Sequence, residues 1–267
     1  MTTMVVETLQ TALAPLEPWL GRALSERQLQ IVLTSFTVLN ILYPIVAWMS
    51  ARFVPQYKNF HPDERIHWNS MILSFTHATL VSGICASLVL FPDYAIEVDR
   101  EFGYSKRAAT AFAISSGFFL YDIKNCFKST GPQWAYIFHH VACFFCYECV
   151  QYPFLPYYAV RFLLFELSTP FMNTRSVLML LGRKDTALFK AIEHSFVLSF
   201  LVVRILMGIP LSIFAFIEAY DMYMASRQHS TFIMAFFTLA NFGLNALNLN
   251  WLSIMMGKFF ERYKKKD

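Results

Sequence analysis

Residues 134–175 read WAYIFHHVACFFCYECVQYPFLPYYAVRFLLFELSTPFMNTR. Two apolar runs of near membrane-spanning length lie here, and each carries groups that such runs normally exclude. His139, His140 and Glu148 interrupt the first; Arg161, Glu166 and Asn173 interrupt the second. A charge at the centre of a bilayer costs about 2.5–3.5 kcal/mol on insertion scales, so such residues face protein or a water-filled cavity and are functional candidates by default. The stretch therefore reads as the polar interior of a membrane-embedded helix bundle.

The composition agrees. Of 267 residues, 56% are hydrophobic and 15% charged, against about 25% charged in a soluble domain. The opening segment, MTTMVVETLQTALAPLEPWLG, has no basic leader and is broken by Glu7, Pro15, Glu17 and Pro18. It reads as an interfacial segment (residues 1–28) and not as a cleaved signal. Cys143, Cys146 and Cys149 recur every third residue in one apolar run and read as small packing residues; Cys126 is a weak candidate for acylation.

Runs of about 20 apolar residues predict an all-α, polytopic bundle of about seven transmembrane helices, at 29–50, 69–91, 108–127, 134–151, 157–181, 188–217 and 231–259. Gly131 and Pro132 break the chain after the third helix, and Pro153 and Pro156 after the fourth. Pro170 predicts a kink in the fifth, which reduces the count to six if that segment re-enters. Gly208 and Pro210 interrupt the sixth. Most of the 22 Lys and Arg residues fall in the 51–68 loop, after the third helix, between the fifth and sixth, and in the basic tail at 261–267. The positive-inside rule then puts the C-terminus in the cytosol. Lys264 and Lys265 resemble a dilysine retrieval signal of the endoplasmic reticulum, which would bring retrieval machinery as a partner.

Depth can be estimated at about 1.5 Å per residue. His77, His139, His140 and His194 gather at one level in the cytosolic half, with Asp122 near its edge. Three further histidines, His61, His67 and His229, fall in loops. Asn241, Asn245 and Asn248 share one face of the last helix. Glu166 and Arg204 both lie near mid-depth and are expected to pair. Together these groups predict a polar-lined cavity opening toward the cytosolic leaflet. No P-loop, GxSxG or HExxH motif is present, and seven histidines without HxxH clusters do not suit a di-iron site, so no metal or resident cofactor is expected.

The motifs WNS at 68–70 with His77 following, YD at 121–122, FHH at 138–140 and RFLLFELSTPFMNTR at 161–175 resemble those of TLC-domain proteins. That group contains ceramide synthases, translocation-associated membrane proteins and lipid-homeostasis proteins. The likeness covers roughly 190 residues, places a TLC domain at 61–260 after a first helix at 29–50, and is nearest the small branch outside the ceramide synthases. It implies an internal lipid-accessible cavity in the endoplasmic reticulum membrane. Ceramide synthases need a His pair, matched by His139 and His140, and a later aspartate pair. Here that region reads Glu166-Leu-Ser-Thr-Pro170, with one carboxylate and not two.

Two functions follow as expectations. In the first the protein binds, senses or moves a membrane lipid and so adjusts membrane composition, with His77, Arg161, Asn173, His194, Asn241 and Asn245 as lipid contacts. In the alternative it is an acyltransferase with His139, His140, Asp122 and Glu166 as the catalytic set. Acyl-CoA would then be its co-substrate, with the phosphates received by Lys124 and Lys128 at the cavity mouth. A membrane lipid is the expected partner in both, a homo-oligomer is open, and no nucleic-acid partner is expected. A seven-helix receptor or channel fits the topology but lacks a recognisable coupling motif.

Overall fold

The computed structural model describes residues 26–128, 134–151, 154–228 and 230–264, together with Glu7, Thr8 and Thr11. Most of the 1–28 interfacial segment, the Gly131–Pro132 break, Pro153, His229 and Lys265 lie outside the described residues. Among the described residues every regular element is helical: α1 (Glu26–Phe53), α2 (Pro62–Leu90), the short α3 (Tyr94–Val98), α4 (Lys106–Cys126), α5 (Trp134–Val150), α6 (Pro156–Leu163), α7 (Thr169–Leu180), α8 (Ala187–Phe200), α9 (Gly208–Met224) and α10 (Thr231–Lys264).

The bundle has two distinct ends. One, the basic end, collects the C-termini of α1, α4, α7 and α10 and the N-termini of α2, α5 and α8. There Tyr57, Phe60 and Trp68 form a small aromatic cluster with Val177, Leu180 and Leu181 packed on it, and the Trp68 indole donates to Ser50 Oγ at 2.9 Å. The other, acidic end is tied by ion pairs between loops and helix ends. Arg107 holds Asp93, Arg227 holds Glu101, and Arg161 holds Glu97 at 2.9 Å.

Several boundaries differ from the sequence reading, for physical reasons. α2 begins at Pro62, seven residues before the apolar run. Proline suits the first helical turn, and the Glu64 carboxylate accepts the His61 N–H at 2.9 Å. His61 stays at the helix edge, but His67 therefore lies on a helix and not in a loop. The fifth segment crosses from the acidic to the basic end, as α6, a 3-10 stretch at Leu164–Ser168, and α7. Pro170 sits in the first turn of α7, where its missing N–H costs nothing, so the expected kink is a break one turn earlier. The sixth segment contains a π-helical stretch, Leu201–Leu206, just before Gly208. The Gly208 backbone lies under the Phe165 ring; an added Cβ would come within 2.6 Å of it.

Among the described residues, four helical stretches are long and apolar enough to cross a membrane by themselves: Arg27–Phe53, Pro62–Leu90, Ala187–Met224 and Thr231–Lys258. The remaining crossings fall short for different reasons: α5 has 17 residues, α6–α7 is broken by the 3-10 stretch, and α4 is an inner helix. α4 is packed by α1, α2 and α5, and its Ala111, Ala113, Ser115 and Ser116 are buried. Small residues let backbones approach closely. At Gly117 a Cβ would stand 2.5 Å from the Val32 carbonyl oxygen of α1. An inner helix does not meet lipid, so it can carry the polar groups that an outer one cannot. The outward faces of α1, α9 and α10 expose Ile41, Trp48, Phe214, Leu239 and Phe242, as lipid-facing surfaces should.

Candidate functional site

α4 and α5 pack side by side, and this contact builds the first half of the site. His140 on α5 and Asp122 on α4 meet with Nε2 and Oδ2 3.0 Å apart. The other imidazole nitrogen, Nδ1, faces Cys126 Sγ at 3.8 Å. His139 turns away, packing edge-on to Trp251 of α10 at 5.6 Å between centroids and contacting Cys143 Sγ at 3.9 Å.

The second half comes from the two irregular stretches. Glu166 lies in the 3-10 segment and Arg204 in the π segment, and their charged groups approach to 3.9 Å. Arg204 Nε donates to Ser168 Oγ at 3.1 Å, and Nη1 to Asn248 Oδ1 at 3.2 Å. Neither charge would survive in the lipid-facing wall. Here both are buried, and the guanidinium also lies near the rings of Phe165 and Phe200.

These groups surround two adjoining spaces. The outer cavity, ≈ 560 Å³, is lined toward the basic end by Asp63, His67, Cys126 and Arg175, and deeper by Asp122, His140, Asn173 and Trp251. The inner cavity, ≈ 60 Å³, runs toward the acidic end between Cys143, Cys146, Tyr147, Phe162, Leu163 and Phe237, with Asn241, Asn245 and Asn248 along one wall. Phe119, His139, Glu166 and Arg204 line both, so a largely polar waist stands between a wide chamber and a narrow, mostly apolar one.

The structure thus brings His139, His140, Asp122, Glu166, Asn173, Asn241 and Asn245 to two adjoining cavities. Asn173 is buried, and its Nδ2 finds no partner among the described residues. Asn245 Nδ2 is engaged, donating to Ser212 Oγ at 2.9 Å and Asn241 Oδ1 at 3.0 Å.

Three sequence candidates lie elsewhere. His77 is buried between α2 and α4, stacked on Phe118 at 3.9 Å with its Nε2 3.3 Å from Ser115 Oγ. Arg161 lies over the Tyr157 ring and pairs with Glu97 at the acidic end. His194 bonds the Lys190 carbonyl on the exposed side of α8. Lys124 and Lys128 turn to α1, toward Asn40 and over Tyr43, and not to the cavity mouth, where Arg175 and its partner Glu193 stand instead. Ser168 and Trp251 join the site without standing out in the sequence, and Cys126, an acylation candidate there, joins it as well. For Cys126 a signal existed: it stands four residues after Asp122 and so shares its helix face.

Fold and site define a polytopic membrane helix bundle around an internal, polar-waisted cavity. The TLC-domain model, which groups TRAM, LAG1 and CLN8 proteins, matches residues 67–257, and the chain belongs to that family. It is 26% identical over 240 residues, 86% of this chain and 78% of the relative, to an uncharacterized TLC domain-containing protein of Schizosaccharomyces pombe. Human TLC domain-containing protein 4 is 32% identical over 144 residues, 52% of this chain and 54% of its own. Mouse TLC domain-containing protein 1 is 25% identical over 218 residues, 80% of each chain. No solved structure matches.

Proposed function

We propose that this protein holds a membrane lipid in the cavity, headgroup in the outer chamber and an acyl segment reaching past the waist, and so binds, moves or senses that lipid to adjust membrane composition. One observation carries the reading. A chamber of ≈ 560 Å³, whose walls carry Asp63, His67, Asp122, His140, Asn173 and Arg175 among Phe, Ile and Met side chains, adjoins a smaller and mostly apolar slot with Asn241, Asn245 and Asn248 on one wall. Sites for amphiphiles need this division, because each buried polar group must find a partner while the chain is removed from water. Residence in the endoplasmic reticulum with a cytosolic C-terminus is part of the proposal, supported by the charge asymmetry and the Lys264–Lys265 pattern. The test is mass spectrometry of lipid bound to purified protein. Wild type should carry near-stoichiometric lipid, and Ser74→Phe, which fills the outer chamber from its wall, should carry several-fold less. Equal lipid in a folded Ser74→Phe protein would refute the proposal.

The 3.0 Å contact between His140 and Asp122 favours a second reading, acyl transfer. A carboxylate only accepts hydrogen bonds, so it holds the His140 proton on Nε2 and leaves Nδ1 as a base. New N-acyl or O-acyl lipid on adding acyl-CoA, absent in His139→Ala/His140→Ala, would establish it.

A further inference from the structure

Asp122 and Cys126, four residues apart on α4, clamp the two nitrogens of His140 from opposite sides. Oδ2 stands 3.0 Å from Nε2 and Sγ 3.8 Å from Nδ1. All three line the outer cavity. We propose that Cys126 is a nucleophile that takes up an acyl group as a thioester, with His140 as its base and Asp122 as the positioning residue. The proposal rests on the reading of the cavity as a lipid compartment.

The arrangement meets the geometric requirements for an activated nucleophile: nucleophile to base, base to an orienting group, and an adjoining space for the reacting carbonyl. In the neutral form of His140 the Asp122 carboxylate holds the single ring proton on Nε2, so the lone pair of Nδ1 faces the thiol. Among the described residues, Cys143, Cys146 and Cys149 have no such pairing with a carboxylate-oriented imidazole, and Cys85 is sealed in the core. A second, independent feature of the same chamber points to a ligand with an acceptor oxygen. Asn173 is 4% exposed, and its Nδ2 donor is without a partner among the described residues. An ester or thioester carbonyl is an acceptor of the kind it lacks.

In the step, the Cys126 proton passes to His140 Nδ1 and the sulfur attacks the acyl carbonyl carbon. The C–S bond to Cys126 forms as the bond to the leaving alcohol or thiol breaks, and that group takes the proton from His140. In the return step an acceptor hydroxyl or amine attacks the thioester, its proton passes to His140, and the departing thiolate recovers it. No electrons are gained or lost. The donor is an activated acyl group, from either a soluble acyl thioester or an ester lipid within the cavity.

The experiment uses the purified full chain in nanodiscs, with isotope-labelled palmitoyl-CoA in one arm and phosphatidylcholine labelled in its acyl chain in the other. Peptide mass spectrometry before and after neutral hydroxylamine locates the adduct, and bound lipid is measured in parallel. The expected result is a hydroxylamine-labile acyl group on Cys126 in one arm, lost in Cys126→Ala and in the isosteric Cys126→Ser. Its rate of formation should fall on the order of 100-fold in His140→Gln, the scale of general-base catalysis, and be unchanged in Cys85→Ala. Acylation spread over several cysteines, or equal at Cys126 in His140→Gln, would overturn the proposal. So would bound lipid with no adduct in either arm, which leaves the lipid compartment standing. Absence of any bound lipid would sink the compartment reading itself.

Discussion

Replacing Glu166 by Gln keeps the shape of the waist and removes one charge. Arg204 would then be a buried cation left with Ser168 and Asn248 as neutral partners, at 3.1 and 3.2 Å. Removing one member of a buried ion pair costs about 3–5 kcal/mol. The two groups stand 3.9 Å apart and both border a cavity that water can enter, so the low end, about 3 kcal/mol, applies. In a chain of this size each kcal/mol moves the melting temperature by about 2–4 °C, which gives a drop of roughly 6–12 °C. Glu166→Met/Arg204→Met removes both charges and should recover most of that loss, since an apolar pair of similar volume is often as stable as the ions. The assay is thermal unfolding in detergent at a fixed scan rate, followed by a thiol-reactive dye that reports exposure of the buried Cys143 and Cys146. A Glu166→Gln protein melting within about 2 °C of wild type, the shift of under 1 kcal/mol, would refute the reasoning, as would a double variant no more stable than the single.

His77→Phe should leave both lipid content and stability close to wild type, the latter within about 1 kcal/mol. The imidazole stacks on Phe118 at 3.9 Å, and its Nδ1 is a buried atom without a partner among the described residues, so its loss removes a desolvation cost; a folded variant stripped of lipid would return His77 to the site. At the acidic end, Arg107 and Ser105 hold the Asp93 carboxyl below the usual range. A depressed folded value means the contribution to stability is present above about pH 3.9 and is lost as pH falls through the folded value. Melting temperatures measured from mildly acidic to strongly acidic buffer should therefore fall more for wild type than for Asp93→Asn, and parallel curves would contradict the assignment.

The bundle was legible because its outer helices obey one rule, unbroken apolar length, which α1, α2 and α10 state openly. The inner crossings were legible for the opposite reason: charges in apolar runs, as at His139–His140 and Glu166, have to face inward. What one dimension hides is the partner. His77 has the same sequence signature as His140, yet α2 and α4 close around it without leaving space, and Arg161 is drawn to Glu97 on the short α3, 64 residues away in the chain. Depth along a helix can be counted from its ends, and depth put Glu166 and Arg204 together; azimuth depends on which neighbours pack where. The irregular turns at 164–168 and 201–206 change azimuth locally and leave no motif, since neither composition nor periodicity distinguishes LFELS or LVVRIL from ordinary helix.

The π stretch at Leu201–Leu206 has a consequence for chain length. Such a turn accommodates one residue more than an α-helix over the same path, so it sets the phase between α8 and α9. Phe196, Phe200 and Arg204 keep a common face on the outer cavity, while Ser212 beyond the bulge meets Asn245. Deleting one residue between 201 and 206 would restore regular winding and leave α9 in place, whereas deleting one from the regular part of α8 would turn all of α9 by about 100° with a shift of about 1.5 Å. A relative that dispenses with the bulge should differ from this chain at that point by a single-residue gap, with Arg204 and Ser212 still on their present faces.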